Sequence, residues 1–171
     1  MLSTLSKLSK GSAALDEAYS EAIERIDGQL AEDRLLARCA LSWITYAQRL
    51  LTTTELCHAL AIEPGDKALN DDNVLDVEDV ISVCAGLVTV DEESNIIRLV
   101  HYTTQEYFEQ IRLEWDPRAQ ERIAVACLTY LSFDIFRSGS CADDKAFEQR
   151  GSPRTYSSTT RHISGASIYD L

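Results

Sequence analysis

This sequence predicts a mostly α-helical fold carrying one small β-hairpin, an α+β class with helices on both sides of the hairpin unit. Three observations carry that expectation. Apolar residues recur at helical spacing along most of the first 135 positions, helix-opening signals stand at Thr52/Glu55, Thr103/Glu106 and Asp116-Pro117, and only residues 87–100 replace that period with β-branched runs.

The first helix is expected over Ala13–Asp27, where Leu15, Ala18, Tyr19, Ala22, Ile23 and Ile26 form one stripe and Ser12 can cap. A second runs from about Ala31 to Arg49 with Leu36, Cys39, Ala40, Trp43, Ile44 and Ala47 on one side, and Trp43 is expected in the core. In "TTTE", Thr52 and Glu55 stand at capping-box spacing and open a short helix through Leu60 and Ala61, which "EPGD" ends. After an acidic loop, Asp76 can cap a helix that buries Val77, Val80, Ile81 and Cys84, and Gly86 breaks it. The runs "LVTV" and "NIIRLV", joined by the polar "DEES", read as the hairpin. Three short helices followed by a hairpin is the winged-helix order, although a small α+β domain of no special kind accounts for the same string.

Past the hairpin, Thr103 and Glu106 repeat the capping-box spacing, so "TQEYFEQIRLEW" starts a helix directly after His101 and Tyr102. Asp116 and Pro117 fit the N-cap and N1 positions of a further helix whose face carries Ile123, Ala124, Cys127, Leu128, Leu131 and Ile135, and "DDKAFEQR" can add a turn or two. From Gly151 to Leu171 no period is sustained and Ser, Thr and Gly crowd the chain, the composition of a flexible tail. The expected division is a linker helix over 1–28, a winged helix over 29–102, a helical extension over 103–150 and a disordered tail over 151–171. Trp115, Tyr107 and Phe108 are either core residues or a contact surface.

Length and composition bound the function. A chain of 171 residues can bury roughly 70% of its unfolded surface, so a real core is expected. No apolar run approaches the roughly 20 residues that span a bilayer, and no membrane partner is expected. The formal charge is -12, and "EPGDKALNDDNVLDVED" sets one Lys among seven carboxylates, a surface that repels phosphate backbones. Five cysteines, odd in number and never spaced as CxxC, read as reduced core residues of a cytoplasmic protein. The opening "MLSTLSKLSKGSAAL" is free of acids but also of Arg, and it runs straight into patterned helix, so a presequence is not expected.

The motifs of catalysis are missing. The dipeptide Gly-Lys does not occur, and neither GxGxxG nor GxSxG is present, which removes a phosphate cradle and a nucleophile elbow. Cys57 and His58 are neighbours, yet adjacent helical residues point about 100° apart and do not form a relayed pair. Neither the Cys and His spacings nor "DDNVLD", with Val74 and Leu75 at ligand positions, suits zinc or calcium. The paired carboxylates read as a solvated acidic surface. No catalytic residue, metal, cofactor or small-molecule substrate is expected. A nucleic-acid-binding regulator is the alternative, but its groove helix would be "DVEDVISVCAGL", with three carboxylates and no Lys or Arg.

The strings "AIERIDGQ", "LSWITYAQRLLTTTELCHALAIEPGD", "DVEDVISVCAGLVTVDEESNIIRLVHYTTQEYFE" and "CLTYLSFDIF" resemble the segment that follows the NACHT ATPase domain in large NACHT and ankyrin-repeat proteins of filamentous fungi. That segment is similar to the GPI inositol-deacylase winged-helix domain, and the resemblance covers roughly Leu5 to Arg150. It implies a non-enzymatic piece of a signalling NTPase whose partners are proteins, namely the NACHT module or downstream repeats. It also implies a chain shortened at both ends, and a truncated product without independent function is a further alternative. In related ATPases a His at the end of the wing strand, within Met-His-Asp, reaches the phosphate of bound ADP. His101 in "LVHYTT" stands at the matching place, with Val100 for Met and Tyr102 for Asp. His101 is therefore either a nucleotide-phosphate sensor that needs a NACHT module, or a packing and capping residue at a strand-helix junction.

Overall fold

The computed structural model describes residues 2–137, with side chains from residue 15 onward. The expected tail over 151–171, the turns of "DDKAFEQR", Cys141 and His162 lie outside the described residues. In chain order the elements are α1 (Leu2–Asp27), α2 (Ala31–Tyr46), β1 (Leu51–Thr52), α3 (Thr53–Ala61), α4 (Val77–Val83), β2 (Val88–Asp91), β3 (Ile96–Leu99), α5 (Tyr102–Trp115) and α6 (Ala119–Leu131). Short 3-10 turns occupy Asp71–Asn73 and Asp134–Phe136.

Helix α1 starts at Leu2 rather than after Ser12. One interior Gly costs a helix only about 1 kcal/mol, too little for Gly11 to stop a segment with a long patterned stretch behind it. Helix α2 stops at Tyr46, three residues before the expected Arg49, because Ala47 turns extended (ψ 133°) to lead the chain into β1. That two-residue strand went unnoticed in the sequence. It pairs Leu51 with Ile97 and Thr52 with Ile96, giving an antiparallel sheet of order β1-β3-β2. The hairpin itself pairs Val88 with Leu99 through Asp91 with Ile96. The order α2-β1-α3-α4-β2-β3 is that of a winged helix, an α+β fold with α1, α5 and α6 added around it.

Local chemistry explains most boundaries. Thr52 ends β1 and caps α3: Glu55 N–H donates to Thr52 Oγ1 at 3.2 Å, and Thr52 N–H donates to the Glu55 carboxylate at 2.9 Å. Arg49 holds the same carboxylate with both terminal nitrogens, at 2.5 and 2.9 Å. Asp76 takes the N-cap position of α4, as expected, but its side chain makes no capping hydrogen bond. Two left-handed residues, Ala85 (φ 51°) and Gly86 (φ 80°), carry the chain from α4 to β2.

One core unites α1 to α5. Ile26, Leu41, Leu56, Val80, Cys84, Ile97 and Phe108 are fully enclosed in it. Phe108 and Trp115 are core residues with rings 5.0 Å apart, and Tyr107 is half-buried against Tyr19, so no contact surface forms from the three. Trp43 is half-buried and bridges this core to a smaller cluster of Ile62, Ala126 and Phe133.

Helix α6 departs furthest from expectation. It begins at Ala119 with Arg118 as N-cap, so Asp116 and Pro117 are not its N-cap and N1. The Asp116 side chain turns inward instead, accepting from Ser42 Oγ at 2.8 Å and pairing with Arg122. That linkage fixes the rotation of α6, which buries Ala119, Ala126 and Thr129 and leaves Ala124, Cys127, Leu128 and Leu131 exposed, with Ile123 half-buried, while Ile135 of the expected face lies past the end of the helix and is exposed. The expected core stripe faces solvent. Cys39, Cys57 and Cys84 are buried, whereas Cys127 is exposed.

Candidate functional site

The strand-helix junction around His101 is built by two constraints. Val100 N–H donates to Leu87 O at 3.0 Å, which prolongs the sheet register, and His101 then stays extended (φ -150°, ψ 154°) before α5 starts at once. In that geometry His101, not Thr103, is the N-cap. Its Nδ1 accepts from Thr103 N–H at 3.3 Å, so the expected Thr103/Glu106 capping box is not formed. The Thr103 hydroxyl lies 2.8 Å from the same Nδ1 and is also hydrogen bonded to Tyr19 on α1. Ser20 and Tyr107 hydroxyls meet at 3.0 Å one turn along, so the junction is tied to α1 at two points.

The imidazole is exposed, with the Tyr102 ring 4.4 Å away, and the preceding residues include the exposed Val100. Because Nδ1 accepts the amide hydrogen bond, a neutral ring carries its proton on Nε2. No group among the described residues pairs with Nε2. The cap therefore engages Nδ1 and not Nε2.

The surface that a winged helix lays on nucleic acid is acidic here. On α4, Glu78 and Asp79 are exposed beside Asp76 at its start. At the hairpin tip, Glu92 and Glu93 are exposed, and Asp91 accepts from Glu93 N–H at 3.1 Å, which holds its carboxyl below the usual range. Arg98 is the base on that hairpin.

Other sequence candidates are placed without being joined. Burial pushes the Cys57 thiol up to about 11, with Asp76 and Glu78 adding to the effect, while burial lowers His58 against the pull of Asp71. Neither is activated as a nucleophile or base. Cys84 rises to about 12 by burial alone. Among the described residues no three His, Cys, Asp or Glu side chains converge as a metal site. No helix among them is long and apolar enough to cross a membrane.

A cleft of about 400 Å³ went unnoticed in the sequence, because it needs β1 to exist. Ile44, Leu50, Leu51 and Ile97 wall it together with Thr45, and Arg49 and Gln105 add longer polar side chains. Both are already engaged, Arg49 with Glu55 and Gln105 with Thr45 O at 3.3 Å.

A family model described as "GPI inositol-deacylase, winged helix domain" matches residues 25–116, from the last turn of α1 to the residue after α5. Comparison with curated proteins and with solved structures gives no match.

Proposed function

The chain belongs to the family of the GPI inositol-deacylase winged-helix domain, and on that premise we propose that it is a non-enzymatic interaction module of a NACHT-type signalling NTPase. One observation carries the reading: the α4 and hairpin-tip surfaces present Glu78, Asp79, Glu92 and Glu93, which repel a phosphate backbone and leave protein as the partner. The inositol-deacylase label transfers the fold and not the esterase, since fold alone never assigns chemistry. The resemblance to fungal NACHT and ankyrin-repeat proteins supplies the partners, a NACHT module or downstream repeats, in the cytoplasm.

In that setting His101 has two uses. Nδ1 caps α5, while the outward Nε2–H donates to a phosphate oxygen of nucleotide held by the NACHT module, a charge-assisted contact. Tyr102 in place of the motif's Asp leaves an aromatic ring rather than a second charge beside that contact.

Calorimetric titration of this chain into a purified fungal NACHT module, with and without ADP, tests the reading. Micromolar binding that strengthens with ADP supports it, and His101→Asn should abolish the ADP dependence while keeping the cap. No heat with either form, together with a shift of duplex DNA in low-salt electrophoresis, would replace it with the nucleic-acid regulator.

A further inference from the structure

We propose that α6 and the turn after it form a releasable strap, which undocks as one unit from α2 and α3 while residues 25–115 stay folded. Two clusters divide the molecule, with Trp43 between them. Ile26, Leu41, Leu56, Val80, Ile97 and Phe108 belong to the core of α1 to α5, whereas Ala126 and Phe133 pack with Ile62 in the second, smaller cluster. Ala119 and Ala126, which α6 buries along its length, bring one methyl each, so little apolar area holds the helix down. A small cleft of about 20 Å³ remains in the seam between Ile123 and Ala126 of α6 and Trp43 and Leu60 of α2 and α3. Atoms facing that gap lose packing contacts.

Polar groups supply the rest of the hold. Asp116 binds Ser42 and Arg122, Arg122 also reaches Cys39, and Asp134 N–H donates to Lys67 O at 2.8 Å past the end of the helix. These bonds are exchanged for bonds to water when the helix lifts, so their net contribution is small beside that of a packed core. Residues 116–118 separate α5 from α6 and serve as the hinge. The family match ends at the same place, Asp116, so the matched unit does not include α6. An element held by few buried apolar contacts opens ahead of the global unfolding, and merges with it only near the denaturation midpoint. Release uncovers Cys39, Trp43 and Leu60, so the strap gates access to that thiol and the face around it.

Maleimide labelling of the full 171-residue chain, mapped by peptide mass, tests this because two buried cysteines report different openings. Cys39 lies under α6, while Cys84 is enclosed in the α1 to α5 core and reacts only when that core opens. The expected result is Cys39 labelled roughly a hundredfold faster than Cys84, with an opening constant equal to that of α6 amide hydrogen exchange. Ile97→Val, in the core, should speed Cys84 about fivefold and leave Cys39 unchanged. Ser42→Ala, at the seam, should speed Cys39 about fivefold. Equal rates at Cys39 and Cys84, or an Ile97→Val effect of the same size on both, would overturn the proposal. So would labelling of Cys39 while the α6 amides stay protected, or exchange of those amides while Cys39 stays unlabelled, which is fraying and not release.

Discussion

Asp116, at the junction of α5 and α6, reaches back to Ser42 in the middle of α2, accepting its hydroxyl at 2.8 Å while Arg122 closes on the same carboxylate oxygen. The three side chains join α6 to the winged helix. Removing the acid leaves a half-buried guanidinium without its counter-charge. Asp116→Ala should therefore cost about 2–3 kcal/mol, below the roughly 3–5 of a fully buried pair because Arg122 keeps some water. Ser42→Ala should cost about 1 kcal/mol. Urea midpoints at constant m measure both, and an effect on Asp116→Ala no larger than on Ser42→Ala would refute the charge argument.

His101 gives a second expectation. Asn is among the best N-caps and Ala among the worst, so His101→Ala should cost on the order of 1 kcal/mol and His101→Asn only a few tenths. Thermal unfolding separates the two. Equal losses would mean that the imidazole stabilises the junction through its ring contact with Tyr102 rather than through Nδ1.

Acid sensitivity should be traceable to Glu55. The Arg49 guanidinium, and then the Thr52 amide, hold its carboxyl down to about 2 from 4.5. A depressed carboxylate contributes stability that is complete above pH 4.5 and is lost as pH falls toward 2. The pair is largely in water, so the amount should be on the order of 1 kcal/mol rather than the full linkage value. Stability measured from pH 5 to pH 2 in the Glu55→Gln protein should lack that component, and identical acid limbs in the two proteins would contradict it.

The α4-β2 turn offers a stabilising change. Ala85 sits at φ 51°, where a Cβ costs roughly 1–2 kcal/mol, whereas Gly there costs only unfolded-state entropy. Ala85→Gly should raise stability by up to about 1 kcal/mol. Gly86→Ala, at φ 80° with open space around the added methyl, should lower it by about 1 kcal/mol through backbone strain alone. Denaturation midpoints moving in the same direction for both substitutions would contradict this reading of the turn.

The legible parts of the fold are those that depend on neighbours in sequence. The Thr52/Glu55 box was readable because both partners sit within one helical turn, and the hairpin because β-branched runs flank a polar tip. Gly86 was readable because left-handed backbone favours glycine. The site was only half visible: resemblance pointed to His101, but its capping bond to Thr103 depends on how β3 delivers the chain. Strand β1 was invisible because two residues carry no period, and its identity as a strand comes from Ile96 and Ile97 lying beside it.

By itself the sequence determined a helical chain with one hairpin, its local caps and its acidic surface, because covalent neighbours and composition suffice for these. Only the tertiary structure decided which side of α6 faces the core. The apolar row through Leu128 and Leu131 and the smaller face through Ala126 both satisfy a helical period. The choice between them was made by Ser42, 74 positions before the Asp116 that it binds.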